Sequence, residues 1–177
     1  MATNEATVQW LGKRQEFDYA DGIAGYVLVG IRLIVGYWFL HAGWGKFGFV
    51  AGEPFDAAGY LAHAETPIAP LFEFVAATPW LLEFTNVMIP LGEFCIGLGL
   101  IVGALVRLAA FFGGVLMVLF YLGNADWANG YVNGDLLGLL MFVLIGVFAA
   151  GRILGVDAYL EETEFVRQRP WLGYLLG

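Results

Sequence analysis

The chain has 177 residues, of which 60% are hydrophobic and only 14% charged, with a mean hydropathy of +0.74. A soluble domain carries nearer about 25% charged residues, so this is the composition of a membrane protein. The net charge of −8, with only two lysines, argues against recognition of nucleic acid or of anionic lipid by charge. One cysteine, Cys95, excludes an intrachain disulfide and a cluster held by this chain's thiolates alone.

Residues 1–21 are polar and of mixed charge, without the apolar core or small-residue cleavage pattern of a signal peptide. They read as a cytoplasmic, interfacial lead-in, with Val8, Trp10, Leu11 and Phe17 touching headgroups, or equally as a partly disordered tail. The first apolar span runs from about Gly22 to Gly43 and contains Arg32. About 20 helical residues cross a hydrocarbon core of ~30 Å. A charge at that depth costs about 2.5–3.5 kcal/mol on insertion scales, so Arg32 needs a partner or a role.

From Phe47 to Thr78 the apolar run is broken by acids, His63 and prolines. The pieces 55–64 and 71–77 have helical spacing but are too short to span, and read as helices lying on the membrane or dipping into it. The second span is Trp80 to about Val106, with Asn86, Pro90 and Glu93 inside it. Arg107 marks a short turn into the third span, Leu108–Gly123; the loop 124–134 is rich in turn residues. The fourth span is Asp135 to about Ala150, closed by Arg152, and 156–177 reads as a cytoplasmic tail.

The fold class is therefore all-α, a membrane four-helix bundle with a short interfacial helical segment between spans one and two. Its domains are a lead-in (1–21), a four-span domain (22–155) and a tail (156–177). Apart from Lys46 and the buried Arg32, the basic residues fall on one side of this arrangement. The positive-inside rule then places both termini in the cytoplasm of a multi-pass cell-membrane protein.

Counted from the starts of their spans, Arg32 and Glu93 both lie near mid-depth, and two opposite charges at one depth should pair. At about 100° per residue, Gly25, Arg32, Gly36, Gly43 and Lys46 share one face of span one, and Asn86, Glu93, Gly97 and Ala104 share one of span two. Small residues on those faces allow close approach. His41 falls on the side opposite Arg32. Lys46, Asn86, Asn124, Asp126, Asn133 and Asp135 gather at the outer end with the aromatic Trp44, Trp80, Trp127, Tyr121 and Tyr131 nearby. That set reads as the rim of a pocket for an amphipathic ring such as a quinone, or as an ordinary aromatic belt with polar loop ends. No metal site is expected, because no HExxH, CxxCH or comparable cofactor motif occurs.

These residues carry a resemblance. The run IRLIVGYWFLHAGWGKF (Ile31–Phe47) and the run GEFCIGLGLIVG (Gly92–Gly103) resemble the DoxX/DoxD family of small four-span membrane proteins, over roughly Gly22–Gly155. One branch of that family supplies a membrane subunit of thiosulfate:quinone oxidoreductase; other members are redox-stress or respiratory accessory proteins. The resemblance implies a quinone as ligand, a larger redox or respiratory complex as partner beside the lipid bilayer, and Arg32, Lys46 and Glu93 as signature positions. It makes Arg32 and Glu93 the candidate catalytic pair, and Lys46, Asn86, His41, Trp44, Asn124 and Asp135 the candidate quinone-binding set. The alternative is a non-catalytic accessory or structural subunit of a larger membrane complex. A transporter fits less well, since no inverted repeat is evident.

Overall fold

The computed structural model describes residues 3–10, 13–63, 66–125 and 130–177. Asp126, Trp127 and Leu11, singled out in the sequence, lie outside them. The chain begins with a hairpin, in the segment that the sequence reads as an interfacial lead-in or a partly disordered tail. Strand β1 (Thr3–Trp10) pairs antiparallel with β2 (Lys13–Ala20), Thr3 opposite Ala20 and Trp10 opposite Lys13. The segment is rich in strand formers (Thr3, Thr7, Val8, Trp10, Phe17, Tyr19), a signal that a search for apolar helical runs passes over.

Helix α1 (Asp21–Gly45) follows directly, then α2 (Gly48–Ala51), α3 (Ala58–His63), α4 (Ala69–Ala77), α5 (Pro79–Val102), α6 (Val106–Gly123) and α7 (Gly134–Val147). Two short helices, α8 (Asp157–Leu160) and α9 (Glu164–Arg167), lie between single 3-10 turns at 150–152 and 170–174. α1 packs on α5, α5 on α6, α6 on α7 and α7 back on α1, which closes a four-helix bundle. Three of these helices, α1, α5 and α6, are long and apolar enough to cross a membrane. α7 has 14 residues, about 21 Å of helix, and is the short member.

The core between the four helices is built from Val35, Phe39, Leu100, Val106, Met117, Phe142 and Ile145. Phe39 and Phe142 meet edge to face at 4.8 Å. The outward faces carry Tyr26, Ile34, Phe84, Phe111 and Val147, all exposed, as a lipid-facing surface requires.

α1 and α5 touch backbone to backbone. A methyl group at Gly97 would lie 2.6 Å from the Gly36 carbonyl oxygen, and one at Gly43 would lie 2.7 Å from the Pro90 carbonyl oxygen. Only glycine permits that separation. The contacts Gly36–Leu100, Gly97–Leu40 and Gly43–Phe94 show that the pair is antiparallel and strongly staggered. About three turns of α1 (21–31) project past the end of α5, and about four turns of α5 (79–92) continue past the end of α1. Space left by the early end of α1 is taken by α3 and α4; Leu61 and Phe72 from them, with Ala57 just before α3, form a second buried cluster.

The segment after α7 is not a free tail. Asp157 is fully buried and accepts the backbone N–H groups of Leu105 (2.7 Å), Val106 (2.9 Å) and Gly177 (3.0 Å). It thereby caps the N-terminus of α6 from a distant part of the chain, where the local residue Leu105 (φ +53°) offers no side-chain cap.

Candidate ligand cavity and its ion pair

The stagger decides which charges meet. Arg32 lies level with the α5–α6 turn, where its Nη1 donates to the carbonyls of Ala150 (2.6 Å) and Ile153 (3.1 Å) and its Nη2 to that of Leu154 (3.0 Å). Gly103 (φ +74°) and Gly155 leave room beside the guanidinium, a methyl at either falling within 3 Å of Nη1. Glu93 pairs with Lys46 instead, Nζ to Oε2 at 2.6 Å, while the same Nζ donates to the Ala42 carbonyl at 3.3 Å. The expected Arg32–Glu93 pair is therefore not formed. Counting depth from the start of each span assumes flush helices, and these two helices are offset.

Above the Lys46–Glu93 pair lies a cavity of about 900 Å³, within the ~300–1,000 Å³ usual for small-molecule sites. α5 and α6 form two of its walls, with Ile89, Ile96, Leu116 and Phe120, and α3 and α4 close it with Leu61, Phe72 and Val75. Most of the lining is apolar, and among the described residues its polar groups are few: Lys46 and Glu93 as one cluster, Asp56, Tyr60 and Asn124 as another, with Thr85 and Cys95 apart from both.

The second cluster ties the inserted segment to the bundle. Tyr60 donates its hydroxyl to Asn124 Oδ1 (2.9 Å), and Asn124 Nδ2 donates to Asp135 Oδ2 (2.9 Å). Burial, reinforced by the Asp135 charge, holds the Tyr60 phenol above its ordinary pKa, so it remains a donor. Thr66 donates its hydroxyl to the Leu122 carbonyl. On the α5 side, Asn86 Oδ1 accepts the Ala57 N–H at 2.8 Å and its Nδ2 approaches Asp56 at 3.4 Å.

Of the residues singled out in the sequence, Lys46, Glu93 and Asn124 line the cavity. Asp135 and Asn86 support it from behind through the bonds above. His41 is exposed on the other side of α1 with its ring 5.8 Å from Tyr37, and Trp44 belongs to an aromatic cluster with Phe47, Phe49 and Phe94. Neither reaches the cavity lining. Arg32 lies in the middle of α1, 14 residues or about four turns before Lys46. Cys95 is exposed and lines the cavity. Tyr60 and Asp157 were missed. Tyr60 sits in a short broken stretch, and Asp157 carries no local signal.

A family model described as "TQO small subunit DoxD" matches residues 27–172. The chain belongs to the DoxD family. No curated protein and no solved structure gives a match. The matched region takes in all four bundle helices, the ion pair, the inserted α3–α4 segment and Asp157.

In this DoxD chain the Lys46–Glu93 pair keeps unused hydrogen-bonding capacity. Glu93 is almost wholly buried, and among the described residues its second oxygen, Oε1, accepts no hydrogen bond. Lys46 uses two of its three donors on Glu93 and Ala42. One ammonium donor and one carboxylate oxygen are thus left at the floor of an apolar chamber, where low dielectric strengthens whatever polar contact they make.

Proposed function

We propose that this chain is a membrane subunit of a quinone-linked oxidoreductase, of the thiosulfate:quinone type, and that a quinone ring occupies the cavity above Lys46 and Glu93. The observation that carries this reading is the combination of a large apolar chamber with a single buried ion pair at its floor. A quinone needs apolar walls for its ring and a donor for its carbonyl oxygen. Reduction of a quinone to a quinol takes up two electrons and two protons.

In this reading Lys46 Nζ donates to a quinone carbonyl oxygen and orients the ring. Glu93, as the carboxylate, keeps Lys46 charged and in place, and the Lys46 ammonium is the proton donor to that oxygen. Because Glu93 neutralises Lys46, the floor is a hydrogen-bonding site rather than a trap for an anion such as thiosulfate. Electrons then come from a partner subunit that oxidises the sulfur substrate. Arg32 is assigned a structural role, as the clamp on the 150–155 turn. The positive-inside rule puts the end bearing Arg107, Arg152, Arg167 and Arg169 in the cytoplasm, and the Asp56–Tyr60–Asn124 end of the cavity outside.

The test is titration of the purified protein in detergent with a short-chain benzoquinone, followed by tryptophan fluorescence, with mass spectrometry of copurifying quinone. Saturable binding that is lost in Glu93→Gln and in Lys46→Met, and kept in His41→Ala, is the expected result. Absence of binding by the folded wild-type chain refutes the reading and leaves an accessory subunit as the alternative.

A further inference from the structure

The cavity is open on one side. α5 and α6 meet closely near their connecting turn, where a methyl at Gly99 would sit 3.6 Å from the Ala109 Cβ. Contact between them is much less extensive than between α1 and α5. Away from that turn, Phe84 and Met88 of α5, and Phe112, Val115 and Leu119 of α6, line the cavity and are exposed. Cys95 does the same. Exposed apolar side chains from both helices in one wall of the chamber point to an opening between α5 and α6.

The chemistry of that gap selects its occupant. Thr85 is its one polar side chain besides Cys95, and the Thr85 hydroxyl is spent on the Leu81 carbonyl at 2.8 Å. Among the described residues no cation stands along it to meet a phosphate, and the ammonium at the floor is already paired with Glu93. A phospholipid would bring a charged headgroup past apolar walls to no partner, which is costly. A small hydrophilic anion fares no better. A neutral polar ring on a long apolar chain matches both ends, its ring at Lys46–Glu93 and its chain between the helices.

We propose that the ligand reaches the cavity sideways from the bilayer, between α5 and α6, and that its isoprenoid chain remains in that gap along Cys95, Phe112, Val115 and Leu119. This rests on the quinone reading above and adds the ligand's class, a lipid-tailed quinone, and its route. Cys95 then stands in the wall of the passage and reports on its occupancy.

Two probes test it on the full-length purified protein: a benzoquinone bearing a decyl chain, and the same ring with a methyl in its place. Burial of part of the chain makes the decyl ligand bind roughly tenfold tighter or better. Val115→Trp, which fills the gap from an exposed position, lowers decyl affinity by about tenfold and the ring's by less than about threefold. On the unmodified protein, the decyl ligand slows alkylation of Cys95 by N-ethylmaleimide, and the tailless ring at equal occupancy does not. Equal affinities for the two probes, or Cys95 alkylation indifferent to the decyl ligand, overturns the sideways route while leaving the quinone site standing. Failure of both probes to bind the wild-type chain refutes the quinone site itself, and this inference with it.

Discussion

Lys46 Nζ lies 2.6 Å from Glu93 Oε2, inside the bundle and not on its rim. Removing one member of a buried pair leaves the other uncompensated, which costs about 3–5 kcal/mol. The Lys46 side chain is 29% exposed against 4% for Glu93, so Glu93→Leu should cost about 3 kcal/mol, the low end of that range. The double variant Lys46→Met/Glu93→Leu should recover most of the loss, because no charge is then left buried. Unfolding titrations in mixed micelles measure all three. Quinone binding should be absent in each, including the double variant with its restored stability, and retained binding there would separate the pair from the ligand.

Arg32→Leu should damage a different region. It leaves the carbonyls of Ile153 and Leu154 without their side-chain donor and takes the shorter of two bonds from that of Ala150, which keeps the Ile153 N–H at 3.4 Å, at about 1–3 kcal/mol for each group left unsatisfied. The 150–155 turn then loosens from the α5–α6 end, and with it the Asp157 cap. Limited proteolysis should cut within 157–177 faster than in wild type, while quinone affinity stays within about twofold of wild type. Arg32→Lys should rescue only in part, since a single ammonium cannot reproduce a fork that serves three carbonyls. A loss of ligand affinity that matches the Glu93 variants would return Arg32 to the site.

Much of the architecture is legible in the sequence because apolar helices announce themselves by length and composition. So is the contact face: Arg32, Gly36 and Gly43 on α1, and Glu93 and Gly97 on α5, are the buried residues at the crossing. What sequence spacing does not carry is the offset between two helices. Flush helices put Arg32 opposite Glu93, whereas the glycine contacts slide α5 along α1 until Lys46 takes that place. Lys46 reads as a rim residue because it ends its span, yet the α3–α4 segment roofs it over. Asp157 is one acid among several in a polar stretch. Its importance arises only once that stretch folds back onto the α5–α6 turn.

The offset itself rests on Gly43 and Gly97. Gly97→Ala places a methyl against the Leu40 and Gly36 backbone, and the helices must separate or slide. Overpacking of this kind costs about 1–3 kcal/mol. It should also weaken quinone binding, because any slide shifts Lys46 relative to Glu93. Gly30→Ala on α1 is the control. A methyl there has nothing within 4 Å, and alanine is the better helix former by up to about 1 kcal/mol. Unfolding titration of both variants gives opposite signs if the close crossing sets the register.

Tyr60 supplies a pH-dependent handle on the inserted segment. Its hydroxyl donates to Asn124, and burial together with Asp135 raises its pKa above the ordinary 10. The neutral phenol is the form that makes this bond, so its contribution is complete below the unfolded-state pKa near 10. It is lost as pH rises through the higher folded-state value. Tyr60 is 45% exposed, so the bond is worth no more than about 1 kcal/mol. Tyr60→Phe should therefore increase amide exchange across Ala58–His63 at neutral pH. The wild-type protein should approach the variant's exchange only in strongly alkaline solution, after correction for the intrinsic rate. If the two already exchange alike at pH 8, the Tyr60–Asn124 bond does not hold the segment over the cavity.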